Sequence, residues 1–276
     1  MDAVIDKLEI KNGSILVVRE DLLPGGTKSR AAIPFISKMK EYGCKQFNYA
    51  SPFCGYAQIA LAIACQQNNV GCKIFAVEQN GEMSSYSKTA MDHSAQIELC
   101  KTLEEAEDRA NRAVGFKIPL GFNHSLYEAY FFQALKEQFE KIKPKNNIWL
   151  PIGSGTLLRS VRKCTKNRII GVNVKIFPTL HKKIFELKKL NNTLVIDTPE
   201  QFEDKANDLP PIPSNLYYDA KLWKFIYHHA KNEKANEKIL LIHMKTNKTL
   251  AVVTDFNNGS RFEIVAHTFL NSHKAE

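Results

Sequence analysis

Apolar and polar positions follow two alternating periods along this chain. QFNYA (46–50), KIFAV (73–77), AQIELC (95–100) and NIWLPIG (147–153) are short apolar runs of strand type. Between them, YAQIALAIACQQN (56–68) is apolar on every side, as a buried helix would be. Residues 84–93 and 125–142 also read as helices, and 102–114 predicts an amphipathic helix with an acidic face. Upstream, 7–20 predicts two short strands around the turn dipeptide Asn12-Gly13. The glycine turn LLPGGT then leads into a helix over 28–42, with Thr27 as its N-cap.

The second half continues in the same manner. It predicts a helix near 156–163, a strand at 169–176, a helix at 178–190 and a short strand, LVI. A proline-rich loop (208–215), a helix at 219–231 and a strand at 239–244 follow. The last thirty or so residues read as a hairpin, LAVVTDF and RFEIVAHTF, around Asn258-Gly259. Strand–helix alternation at this spacing predicts an α/β fold with mainly parallel sheets.

Composition narrows the class. With 44% hydrophobic residues over 276 positions, the chain can bury a large core. No run approaches the roughly 20 apolar residues of a membrane span. The opening MDAVIDKLEIKNG has acids and no long apolar run, so a cytoplasmic location is expected. Six cysteines occur without a C-x-x-C pair or zinc-like spacing, which predicts free thiols and no metal site. His228 and His229 likewise have no partner at metal spacing.

The net charge of +9 is unevenly spread. Residues 1–140 carry 15 Lys/Arg against 17 Asp/Glu, a net of −2, whereas 141–276 carry 23 against 12, a net of +11. Arg159, Arg162, Lys163 and Lys166 fall at spacings that would share one helix face, with Arg168 just beyond. A second group is His181, Lys182, Lys183, Lys188 and Lys189. Such a face is either solvated or suited to a phosphate-rich partner such as nucleic acid.

Two glycine-rich turns carry the candidate chemistry. In Pro24-Gly25-Gly26-Thr27-Lys28, a lysine stands in the positive field of a helix N-terminus, which lowers its pKa and favours the nucleophilic neutral amine. In Gly153-Ser154-Gly155-Thr156, backbone N–H groups and two hydroxyls at a strand-to-helix turn could cradle one phosphate. It is neither a Walker loop nor a dinucleotide fingerprint.

A Schiff-base lysine beside a cup for one phosphate describes pyridoxal phosphate (PLP). VREDLLPGGTKSRAAIPFI (18–36) resembles the lysine segment of fold-type-II PLP enzymes, in the branch with aminocyclopropane-carboxylate deaminase and D-cysteine desulfhydrase. The matched positions are Arg19, Glu20, Asp21, Leu22, Gly25, Gly26 and Lys28. WLPIGSGT (149–156) resembles the family's phosphate loop, 118–135 the segment opening the preceding helix, and YYDAKLW (217–223) a late tyrosine-and-lysine element. ILLIH (239–243) resembles a late strand; the resemblance runs over roughly 15–245.

The resemblance implies two α/β domains with a PLP cleft between them, the larger formed by 1–42 and 128–276 and the smaller by 43–127, plus a C-terminal hairpin extension. It implies a homodimer and a PLP enzyme in which Lys28 forms an aldimine and acts at the alpha carbon of an amino-acid-type substrate, by elimination or deamination. Residues 153–156 would hold the phosphate, and Tyr218 and Lys221 would be matched positions. Two departures stand out. The family's Ser-Asn turn is replaced by Ser51-Pro52-Phe53-Cys54-Gly55-Tyr56, so Ser51, Cys54 or Tyr56 takes its place. The usual Thr-Gly-Gly near the pyridine nitrogen is replaced by Met244-Lys245-Thr246. His124 replaces a glycine-rich turn of the family, and Tyr86 is a further candidate ring beside the site; both read more readily as structural. Charge adds an alternative: a PLP enzyme, such as a decarboxylase, acting on an amino acid attached to a DNA base, as in phage DNA modification, with Arg159, Arg162, Lys163 and Lys166 on the nucleic acid. A third reading is a PLP-fold protein without turnover.

Overall fold

The computed structural model describes residues 4–10, 13–142, 147–207, 212, 214–232, 239–242 and 252–255. In chain order, β1 (Ile5–Ile10) and β2 (Gly13–Val18) precede α1 (Ser29–Glu41), β3 (Gln46–Ser51), α2 (Ala57–Gln67) and β4 (Gly71–Val77). Next come α3 (Ser85–Asp92), β5 (Gln96–Cys100), α4 (Leu103–Arg112), β6 (Phe116–Ile118) and α5 (Ser125–Ile142). The second half contains β7 (Asn147–Ile152), α6 (Thr156–Cys164), β8 (Ile169–Asn173), α7 (Lys182–Lys188), β9 (Thr193–Asp197), α8 (Ala220–Asn232), β10 (Ile239–Ile242) and β11 (Val252–Asp255). The architecture is α/β, with two parallel sheets.

By contact density the chain falls into two compact units. The first comprises Leu23–Gln138 and Ser154–Cys164. Its sheet has the order β5-β4-β3-β6, all parallel, with Tyr49 opposite Ile74 and Ile118. Ala57–Cys65 of α2 is buried throughout, and all of it but Gln58 is apolar. Small residues let α4 approach the sheet: Ala106 and Ala110 pack on Ala50, Phe75 and Cys100. Thr102 fixes the start of α4 by accepting a hydrogen bond from Glu105 N at 3.1 Å.

The second unit comprises residues 2–22, 139–153 and 165–276. β7, β8 and β9 form a parallel sheet with Leu150 opposite Gly171 and Gly171 opposite Val195. β1 and β2 pair antiparallel, and β10 joins β2 in parallel. Trp149, Trp223, Ile15, Val17, Ile170, Val172 and Ile226 make its core. Each buried indole contributes about 4–6 kcal/mol of transfer free energy. Arg19 makes a two-point ion pair with Asp21 at 2.9 and 2.8 Å and also holds Asp6, so the Arg-Glu-Asp segment is an anchored corner.

Three local expectations change. Thr27 does not cap α1: Gly26–Lys28 is a 3-10 turn, Lys28 is the N-cap, and Ser29 Oγ donates to Gly26 O at 2.7 Å. α6 stops at Cys164, so Lys166 is not on the helix face with Arg159. α7 starts only at Lys182 because His181 Nδ1 accepts from Lys183 N and caps it there. The three-residue β6 is too short to be read from periodicity. The second arm of the C-terminal hairpin, its turn at Asn258-Gly259, and most of the proline-rich loop lie outside the described residues. None of the helices searched among the described residues is long and apolar enough to cross a membrane.

Candidate functional site

Lys28 ends the 3-10 turn that opens α1, and left-handed Gly25 (φ 78°) makes that turn possible. A Cβ on Gly25 would lie 3.1 Å from Ala60 Cα, so only glycine lets the turn seat this closely on α2. Lys28 is partly exposed by surface area, yet its pKa falls to about 8. The direction is the one expected from sequence, and burial lowers the pKa. On the preceding residue, Thr27 Oγ1 is buried and has no hydrogen-bond partner among the described residues.

The second turn is built around Ser154-Gly155-Thr156, at the N-terminus of α6. Gly155 is left-handed (φ 84°). Ser154 Oγ and Thr156 Oγ1 lie 3.1 Å apart, and Thr156 Oγ1 donates to Gly121 O at 3.1 Å. The loop therefore places two hydroxyls at the positive end of a nine-residue helix, the Thr156 proton being committed to Gly121 O. Gly153 precedes it, and a Cβ there would come within 3.1 Å of the Tyr218 ring, which stands against Gly153. Lys221 is not free for chemistry: it is buried and its Nζ donates to the carbonyls of Gln201 (2.6 Å) and Phe202 (3.3 Å).

A line of contacts joins the two turns. Tyr127 OH donates to Lys28 O at 3.2 Å. The Tyr127 ring packs on Phe122 with centroids 4.7 Å apart, and Phe122 follows Gly121, the residue that receives Thr156. Tyr49 from β3 supports the same corner: its ring stands 6.0 Å from Phe122 and its hydroxyl accepts from Gly121 N at 3.4 Å. Sequence reasoning missed Tyr127, Tyr49 and Gly121. No local pattern links position 127 to position 28; only Gly121, in the turn-like PLGFNH, left a visible signal.

Ser51, Cys54 and Tyr56 are all buried where β3 runs into α2. Ser51 Oγ donates to Pro52 O at 3.1 Å and faces Gly55 O at 3.5 Å. A Cβ on Gly55 would meet Ser51 Oγ at 2.6 Å. Gln58, unnoticed in the sequence, ties this loop down by donating to Gly55 O at 2.9 Å and accepting from Ser87 Oγ at 2.9 Å. Tyr86 meets Tyr56 edge-on at 6.0 Å. His124 serves its helix, accepting from Leu126 N at 3.2 Å and packing on Phe35.

The basic cluster is partly neutralised. Arg159 and Lys163 both turn to Glu128, at 2.6 and 3.9 Å. Arg162 is half-buried, and desolvation lowers its pKa. In the second cluster, Lys183 and Lys189 lie over Phe177 and Phe185, and Lys188 pairs with Asp197. No group of three or more potential metal ligands occurs among the described residues, and none of the six cysteines is in a disulfide.

These residues fit a phosphate-bearing aldehyde cofactor at its two anchoring ends. A desolvated amine, a glycine-opened turn with two hydroxyls and, on the residue before the lysine, a buried hydroxyl without a partner among the described residues are all present. The segment Met244-Lys245-Thr246 lies outside the described residues.

No family model matches the chain. Among solved structures, it is similar to an ACC deaminase homologue (TM-score 0.69, 14% identity, 87% of each chain). It is also similar to a fungal L-serine ammonia-lyase from Rhizomucor miehei (0.62, 14%, 95% and 96%). A third is a mutant of O-ureido-L-serine synthase with O-ureido-L-serine bound (0.64, 13%, 84% of each). Locally, 66 residues are 38% identical to cilia- and flagella-associated protein 161 of Danio rerio, over 20% of this chain and 22% of that protein. In the Mus musculus protein, 47 residues are 47% identical, over 16% of each. The chain thus spans about a fifth of the curated relatives it matches.

Proposed function

We propose that this chain, whose fold is that of the fold-type-II PLP enzymes, holds PLP at Lys28 and works as a lyase on an amino-acid-type substrate. The observation that supports the reading is the line Lys28–Tyr127–Phe122–Gly121–Thr156, which ties the backbone of Lys28 and the turn at Gly155 into one framework. When bound, the cofactor supplies an electron sink for charge developing at the substrate's alpha carbon.

The chain's own residues do the rest. Burial keeps a usable fraction of Lys28 as neutral amine near neutral pH, ready to bind the aldehyde carbon and afterwards to carry a proton at the alpha carbon. Ser154, Gly155 and Thr156 hold the phosphate at the α6 N-terminus. The Ser51–Tyr56 loop, fixed by Gln58, is the segment that would meet the substrate. Elimination or deamination is the expected outcome; two of the similar structures are described as a deaminase homologue and an ammonia-lyase.

The replacement of the family's Ser-Asn turn by Ser51-Pro52-Phe53-Cys54-Gly55-Tyr56 favours a second reading, a PLP-fold binding module without turnover. One experiment addresses both. Purified protein is mixed with PLP, its visible absorbance recorded, and small amino acids then added. A new visible band that is absent in Lys28→Ala and shifts with substrate, with ammonia or keto acid released, supports the lyase. A band without turnover supports the module. No band in the wild type overturns both.

A further inference from the structure

We infer that Arg159 is a ligand of the cofactor's phosphate and not part of a nucleic-acid surface; this deepens the reading above and rests on it. Arg159 stands one helical turn after Thr156 on α6. Its Nη2 is 3.3 Å from Thr156 Oγ1, the loop hydroxyl, 3.0 Å from Asn123 Oδ1 and 2.6 Å from Glu128 Oε1. Its Nε donates to the same carboxylate oxygen at 3.2 Å. Carboxylate and amide thus hold the guanidinium against the cup, while no hydrogen bond among the described residues uses Nη1.

Three physical points favour a single phosphate over a polyanion. A cup made of hydroxyls and a helix terminus supplies only partial charges, whereas a phosphate monoester carries nearly two negative charges. A planar guanidinium is the side chain best shaped to bind phosphate oxygens, and one already fixed by Glu128 gives up little rotamer freedom on doing so. A nucleic-acid face needs several uncommitted cations in a row, yet Arg159 and Lys163 share Glu128 and Lys166 lies past the helix end.

The test compares PLP with pyridoxal, the same aldehyde without the phosphate. Affinities of both are measured by absorbance titration for wild type, Arg159→Met and Arg159→Lys, and duplex DNA binding is measured alongside. The expected result is that Arg159→Met lowers the preference for PLP over pyridoxal by roughly ten- to a hundredfold while pyridoxal affinity stays unchanged. Unchanged pyridoxal affinity also shows that the variant is folded. Arg159→Lys, which keeps charge but loses the fork, falls between and carries the comparison if the methionine variant does not fold. An unchanged preference in the folded variants overturns the inference alone, as does lost DNA binding with the preference intact. A wild type that takes up neither aldehyde overturns the PLP reading and the inference with it.

Discussion

Gly121 and Ser154 approach so closely that a Cβ on Gly121 would lie 2.1 Å from Ser154 Oγ and 2.2 Å from Ser154 Cβ. Gly121 is also left-handed, at φ 72°. Gly121→Ala therefore meets two obstacles, strained backbone and a collision that displaces Ser154 in the proposed phosphate cup. It should cost at least about 2 kcal/mol in urea unfolding. PLP uptake should fall with it. Wild-type stability and uptake would show that the cup does not depend on this contact.

The Lys28 pKa sets a pH dependence. An unfolded lysine titrates near 10.5 and the folded one at about 8. Between those values the unfolded chain binds more protons, so stability rises with pH across that window, and the cost of the buried charge is present in full below it. Lys28→Met should stabilise the cofactor-free protein by about 1–3 kcal/mol at pH 7, with the gain fading as the pH approaches 10.5. Equal effects at about pH 7 and about pH 10 would contradict the assignment.

Gln58 joins Gly55 to Ser87, and Ser87 Oγ lies 3.0 Å from Ser84 Oγ, all in buried surroundings. Gln58→Leu keeps the volume but leaves the Gly55 carbonyl without this donor and the Ser87 hydroxyl without this acceptor. The expected loss is about 2–4 kcal/mol by chemical denaturation. A loss below about 0.5 kcal/mol would mean that the loop is held by other contacts.

Much of the α/β order was legible because each β3–α2–β4–α3–β5–α4 segment carries its own period and its own turn residues. Gly25-Gly26-Thr27-Lys28 and Gly153–Thr156 were legible for the same reason: glycine at left-handed or crowded positions marks a local need. What was not legible is the long-range wiring. Tyr127 reaches Lys28 O across 99 positions, and Arg159 reaches Glu128 across 31. The Arg159 case shows the physical limit most clearly. Charge counting sees it only as one cation of a basic run, whereas its ion pair with Glu128, a carboxylate from another helix, is invisible to spacing rules.

The central claim is that one lysine, Lys28, anchors the cofactor. The most direct measurement is to incubate the protein with PLP, reduce with borohydride, and map the added mass by peptide mass spectrometry. The account predicts one adduct, on Lys28, that is lost in Lys28→Ala. No adduct, or label spread over the surface lysines and unaffected by Lys28→Ala, would contradict it.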